Sequence, residues 1–185
     1  MSRFDYDDGE GMPWGLWKSA ISNALAGRRG QKALADMEEA LLALPKPSLI
    51  EGYLVHDGQV CAVGALVAHQ QAKEQGIDIA AVIEAMDTGL ACGCGHNRAA
   101  HRDDGCIGKS DWRPRGACSC TGYEPDFEDP EQTAQAGERV GLRYSVAWHL
   151  AWLNDEEFRD LSPEERFIRM LAWVRRAQGK DMVAA

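Results

Sequence analysis

Residues 48–71 read SLIEGYLVHDGQVCAVGALVAHQQ, and the way this stretch divides separates an all-helical chain from one that also carries a hairpin. LIEGYLV mixes β-branched, aromatic and aliphatic residues, which suits a strand. The Asp57-Gly58 pair after it accepts the left-handed backbone of a two-residue hairpin turn. From Cys61, the run CAVGALVAHQQAKEQ has the length and apolar content to start a helix. Strand, tight turn and helix is the predicted order, although a helix–loop–helix also fits.

Downstream, DIAAVIEAMDTGL supplies a short helix over Ile79–Met86. Upstream, Trp14, Trp17, Ile21 and Leu25 keep a three-to-four-residue spacing until GRRG at 27–30 breaks it. QKALADMEEALLALP then predicts an amphipathic helix with Ala33, Leu34, Met37, Leu41 and Leu44 buried, ended by Pro45 and Pro47. After the acidic linker GYEPDFEDPEQ, EQTAQAGERVGLRYSVAWHLAWLND is helical again. Val146, Leu150 and Leu153 share one face there, with Trp148 and Trp152 beside them. LSPEERFIRMLAWVRRAQ reads as the best-defined helix: Ser162 caps it, Pro163 opens it and Glu165 completes a capping box. Phe167, Met170, Leu171 and Val174 face inward, and Arg175 and Arg176 suit the negative end of the dipole. The expected fold is mainly α, a compact helical domain with room for one small β-hairpin. Its body is discontinuous, 14–90 with 131–178. An irregular insert occupies 91–123, and flexible termini cover 1–13 and 179–185.

The chain has 185 residues, 45% hydrophobic and 26% charged, which is the composition of a globular domain. A net charge of −9 argues against a general phosphate-backbone binder, which needs a concentrated positive field. It leaves room for a local basic patch. MSRFDYDDGEGMPW has no apolar signal region, and no run of 18 apolar residues occurs, so neither export nor a membrane span is expected. A reducing cytoplasm is the expected setting, and clustered cysteines there are metal ligands more often than disulfides.

Such a cluster is present. ACGCGHNRAAHRDDGCIGKSDWRPRGACSC, residues 91–120, holds five of the six cysteines and two of the five histidines. The candidate ligands are Cys92, Cys94, His96, His101, Cys106, Cys118 and Cys120. Thiolate with imidazole suits tetrahedral zinc, and a segment this polar and glycine-rich needs such a staple to fold. Seven candidates exceed the needs of one ion, so one structural Zn2+ drawing four of them is expected. The close pairs Cys92/Cys94 and Cys118/Cys120 with Cys106 and one histidine form the pool. His96, one glycine from Cys94, is the favoured histidine, and His101 is cast as orienting a neighbour. An iron–sulfur cluster on four cysteines is the metal alternative. The H-x-E and P-C-x-x-C arrangement of zinc deaminases is absent, and the surplus of thiolates favours a closed site. Arg98, Arg102, Lys109, Arg113 and Arg115, with Trp112 and Tyr123 among them, would let the insert grip nucleic acid. A solvated basic face docked on the acidic linker 124–131 is the plainer reading of the same residues.

Cys61 stands apart, at the predicted start of a helix, where a thiol pKa is lowered. With His149 and Asn154 it follows the Cys, His, Asn order of papain-like enzymes, but the order alone matches. A buried, structural Cys61 and a packed His149 are preferred, and His56 and His69 read as surface or turn residues. Asn154-Asp155 is expected to stop one helix and cap the next turn, or else to line a cleft opposite Cys61.

Asp57, Gly58, Cys61, Gly64 and Ala65, with the late Asn154 and Asp155, form a D-G-x-x-C-x-x-G-A … N-D pattern. It resembles a family of small uncharacterised bacterial and phage proteins. The insert is similar to C-x-C-G-H … H … C … C-x-C pieces of phage-encoded proteins, in which zinc binding is the usual inference. It departs from them in the eleven residues between Cys106 and Cys118. The resemblance implies a phage or prophage accessory protein acting inside a bacterial host cell. The expected function is non-enzymatic: binding, and in the stronger version inhibiting, a host or phage protein. A nucleic-acid-associated regulator using the basic insert and a Cys61-dependent hydrolase or transferase are the alternatives.

Overall fold

A computed structural model describes residues 14–89, 101–102, 105–106 and 130–180. Among them the chain is mainly α, with seven α-helices and two small two-stranded antiparallel pairings. The elements run α1 (Trp14–Ala26), α2 (Arg28–Leu42), β1 (Val55–His56), β2 (Gln59–Val60), α3 (Ala62–Gln75) and α4 (Ile79–Gly89). They continue with β3 (His101–Arg102), β4 (Gly105–Cys106), α5 (Pro130–Arg139), α6 (Tyr144–Trp152), a π-helical turn (Leu153–Glu157) and α7 (Pro163–Ala177).

Helix α3 is the centre. Its first seven residues, AVGALVA, are apolar all round, and every one is buried, as befits a helix enclosed on all sides. α2, α4, α5 and α6 pack around it, while α7 lies on α2. One cluster of buried side chains draws on both sequence halves, from Ile21, Leu34, Met37 and Leu41 to Leu150, Met170 and Val174.

Residues 48–71 form strand, turn and helix, with a shorter strand than expected. β1 and β2 pair antiparallel, Val55 opposite Val60 and His56 opposite Gln59. Asp57 and Gly58 both have positive φ, 50° and 69°, the backbone of a type I′ turn. Over Leu49–Leu54 the chain stays beside β2 through two backbone bonds, Ile50 N to Val60 O and Cys61 N to Leu54 O, both 3.1 Å, without forming a ladder, and Gly52, whose φ is 75°, turns it toward Asp155. Gly58 N donates to Asp87 Oδ2 at 3.1 Å and ties the turn to α4.

Two helix boundaries differ from the sequence reading. GRRG does not open a gap, because only Gly27 leaves the helical path and α2 starts at Arg28. Gly30 lies where α2 crosses α1, and a Cβ there would sit 2.2 Å from Ala24 O, so the crossing needs glycine. The expected stop at Asn154 is a π turn instead, closed by Phe158 N donating to Leu153 O at 3.1 Å. Helix α7 matches the prediction. Ser162 Oγ accepts from Glu165 N, and Glu165 Oε2 accepts from Ser162 N at 3.0 Å. Its far end is fixed to α2 through Glu38, which accepts from Lys180, Arg175 and Gln178; the first two hold its carboxylate down at about 2.

Candidate functional site

Helix α1, the α6–π junction and α7 enclose a groove of about 960 Å³. α7 presents two rows to it, Ile168/Ala172/Arg176 and Arg169/Trp173, each repeating every four residues beside the core-facing Phe167, Met170 and Val174. α1 contributes Lys18, Ile21, Ser22 and Leu25, and the π turn with its exit adds Leu153, Glu157 and Phe158. The extra residue in a π turn rotates the residues after it by about 100° relative to an α-helix. Glu157 and Phe158 thus reach the groove, while Asn154 points to the opposite side, toward Ile50.

His149 stands in the groove wall among tryptophans. Its ring is 4.8 Å from Trp17 and 5.6 Å from Trp173, both edge-on, and stacks on Trp152 at 5.9 Å. The residue is 8% exposed. Burial and then the charge of Lys18 depress its pKa to about 4, so the imidazole is neutral at physiological pH. Nδ1 is buried and has no hydrogen-bond partner among the described residues. Such an orphan costs about 1–3 kcal/mol, and Asn154 Oδ1 and Arg166 Nε, away from the groove, are buried in the same state. Around the mouth, Arg169 and Arg176 form no ion pair among the described residues, and Glu157 is the acid present.

On the other side of the π turn, Asn154 and Asp155 close a polar knot rather than a cap or a cleft. Asn154 Nδ2 donates to Ile50 O at 2.7 Å and to Asp155 Oδ1 at 2.6 Å, and Gly52 N donates to the same oxygen at 3.1 Å. Burial pushes the Asp155 carboxyl above its ordinary value, against those two hydrogen bonds. Arg166, 3% exposed, completes the knot. It donates to Leu49 O at 2.9 Å, to Glu51 at 2.7 Å and to the carbonyls of Arg159 and Leu161. The irregular strand 48–54 is thereby bound to the α6–α7 corner.

Cys61 is a buried helix cap. It is 3% exposed, and its Sγ accepts from Gly64 N at 3.3 Å at the start of α3. A Cβ on Gly64 would lie 2.0 Å from Leu54 O, which shows how tightly the helix start abuts the hairpin. The three papain-ordered residues have separate tasks: Cys61 caps, His149 stacks on tryptophan and Asn154 holds Ile50 O. His56 is the last residue of strand β1, beside the turn and half-buried. His69 is not at the surface: its side chain is only 12% exposed, with Nε2 3.6 Å from the Glu39 carboxylate.

Of the seven predicted zinc ligands, Cys92, Cys94, His96, Cys118 and Cys120 lie outside the described residues. So do Arg98, Lys109, Arg113 and Arg115. The backbone at His101 and Cys106 is described, and it departs from the expected irregular course. β3 and β4 pair antiparallel, with His101 directly opposite Cys106 and Arg102 opposite Gly105. The intervening Asp103-Asp104 with Gly105 is turn-forming composition. No described helix is long and apolar enough to cross a membrane.

Arg166, Arg169, Trp173 and Arg176 were not singled out from sequence as site residues. The available signal was the tryptophan count: Trp17, Trp148, Trp152 and Trp173, four of six, gather at this end of the molecule, partly rather than fully buried. Compared with protein-family models, curated proteins and solved structures, the chain matches none, and the geometry of the groove carries the functional reading.

Proposed function

We propose that this chain is a non-enzymatic accessory protein that binds another protein through the groove between α1, the π turn and α7. The observation that carries the reading is the combination of aromatic walls with two arginines that have no ion pair among the described residues. Buried aromatic surface with arginine at its edge is the usual composition of a binding hot spot. Burial of Cys61 and the separate engagements of His149 and Asn154 speak against the hydrolase alternative. The resemblance to phage proteins supports a phage or prophage setting, with the bound, and in the stronger version inhibited, protein inside the bacterial cytoplasm.

In this reading one structural Zn2+ staples the insert. The facing register of His101 and Cys106 supports both as ligands of one ion, so His101 becomes a first choice beside His96. Mass spectrometry of the native protein is expected to find one zinc per chain. Chelation should leave the helical circular dichroism of the body largely intact; iron, or no metal, would remove this part of the proposal.

A photo-crosslinking amino acid at Ile168, 61% exposed on the groove edge, tests the binding reading in host cells. One discrete protein adduct, absent when Arg169→Glu and Arg176→Glu are combined, is expected. No adduct, or one indifferent to the charge reversal, would overturn it.

A further inference from the structure

We infer that the groove takes an acidic peptide segment of its partner, one aromatic side chain flanked on both sides by carboxylates. The inference rests on the groove being a protein-docking site and names what docks there. Arg169 and Arg176 are seven residues apart on one face of α7, two turns and about 10 Å along the axis. A single small anion does not span that distance, whereas carboxylates two residues to either side of an aromatic residue in an extended peptide share its face, roughly 13 Å apart and within reach of both flexible arginines. Between the arginines, Ala172 and Trp173, with Trp152 and Phe158 opposite, leave an apolar floor on which a flat ring stacks. His149 lines the same wall as a neutral ring stacked on Trp152, aromatic surface rather than a third charge.

Nucleic acid fits these features less well. Two arginines two turns apart neutralise few phosphates, too few for the backbone grip of a nucleic-acid site. The net negative charge disfavours an acidic peptide over much of the surface, so the two arginines at the mouth set where and in which orientation it docks.

The test is selection of a random 12-residue peptide library on the purified full-length protein, followed by titration of the best peptide against intrinsic tryptophan fluorescence. Enriched sequences should carry one aromatic residue with Asp or Glu on both sides, and affinity should fall as salt rises. Combining Arg169→Glu and Arg176→Glu should weaken binding at least about tenfold. The inference is overturned by enrichment of sequences without acids or by binding that ignores the arginine changes. It is equally overturned if a short DNA oligonucleotide displaces the peptide with higher affinity. Recovery of the chain's own FDYDD pattern, with a peptide of residues 1–13 binding only to a chain truncated of them, would make the occupant intramolecular and also overturn it. A crosslink from Ile168 that persists while the library yields no acidic-aromatic consensus would sink this inference and leave the binding function standing.

Discussion

Asn154 and Glu157 sit three residues apart in one π-helical turn, yet they belong to opposite kinds of site. On the Asn154 side, Asn154, Asp155 and Arg166 are engaged by the chain's own backbone, at Ile50 O, Gly52 N and Leu49 O. On the Glu157 side, Arg169, Arg176 and His149 Nδ1 meet no such partner among the described residues. The knot commits most of its polar groups to holding a loop, leaving over Asn154 Oδ1 and Arg166 Nε, whereas the two groove arginines make no ion pair among the described residues. Desolvation acts on both sides in opposite charge senses, raising Asp155 and lowering His149.

The knot should be the more fragile of the two. Arg166→Leu strips hydrogen bonds from three carbonyls and from Glu51, and should destabilise the fold by about 3 kcal/mol in urea unfolding. A loss under about 1 kcal/mol would erase the difference between the two sides. The groove's histidine should show itself through pH. Between 6.5 and about 4 the unfolded chain binds a proton that folded His149 refuses, so stability falls on acidification through that window and levels off below it. The full effect is on the order of 3 kcal/mol. Asp155 opposes it, since its raised pKa makes the folded state the better proton acceptor. His149→Phe should flatten the slope and equal or exceed the parent at pH 7, because the orphan is gone. Asp155→Asn should steepen it. An unchanged profile in His149→Phe would show that the imidazole is not held neutral.

Smaller effects separate the two sides further. Ser162→Ala removes the cap of α7, which borders both sites, and should cost about 1 kcal/mol in thermal or urea unfolding. Arg169→Glu with Arg176→Glu should move stability by no more than about 0.5 kcal/mol each while abolishing the Ile168 crosslink. A large stability loss there would reveal the groove arginines as structural.

Local rules made most of the helical frame readable. Trp14 to Leu25, the Leu34–Met37–Leu41 stripe, the Asp57-Gly58 turn and the Ser162–Glu165 box are all signals carried within a few residues. The features that escaped depend on residues far apart in sequence. Gly52 bends the chain because Asp155 lies 103 residues away, and Arg166 is buried by carbonyls 117 residues upstream at Leu49. Nothing near Arg166 distinguishes it from the exposed Arg169. The groove was illegible for the same reason, since Trp17, His149 and Trp173 meet only once α1, α6 and α7 are packed. The two-residue pairing at His101 and Cys106 is too short to leave a period.

The hydrogen bond from Asn154 to Ile50 spans 104 residues. Seen from the ribosome, that separation is a wait. At ordinary elongation rates of about 5–20 residues per second, Ile50 is made roughly 5–20 s before its partner. During most of that interval α3, apolar on every side, is present without α5 and α6 to cover it. The nascent chain therefore shows its stickiest surface for longer than the closure of the finished fold requires, and a holding chaperone has its natural opportunity on residues 62–68.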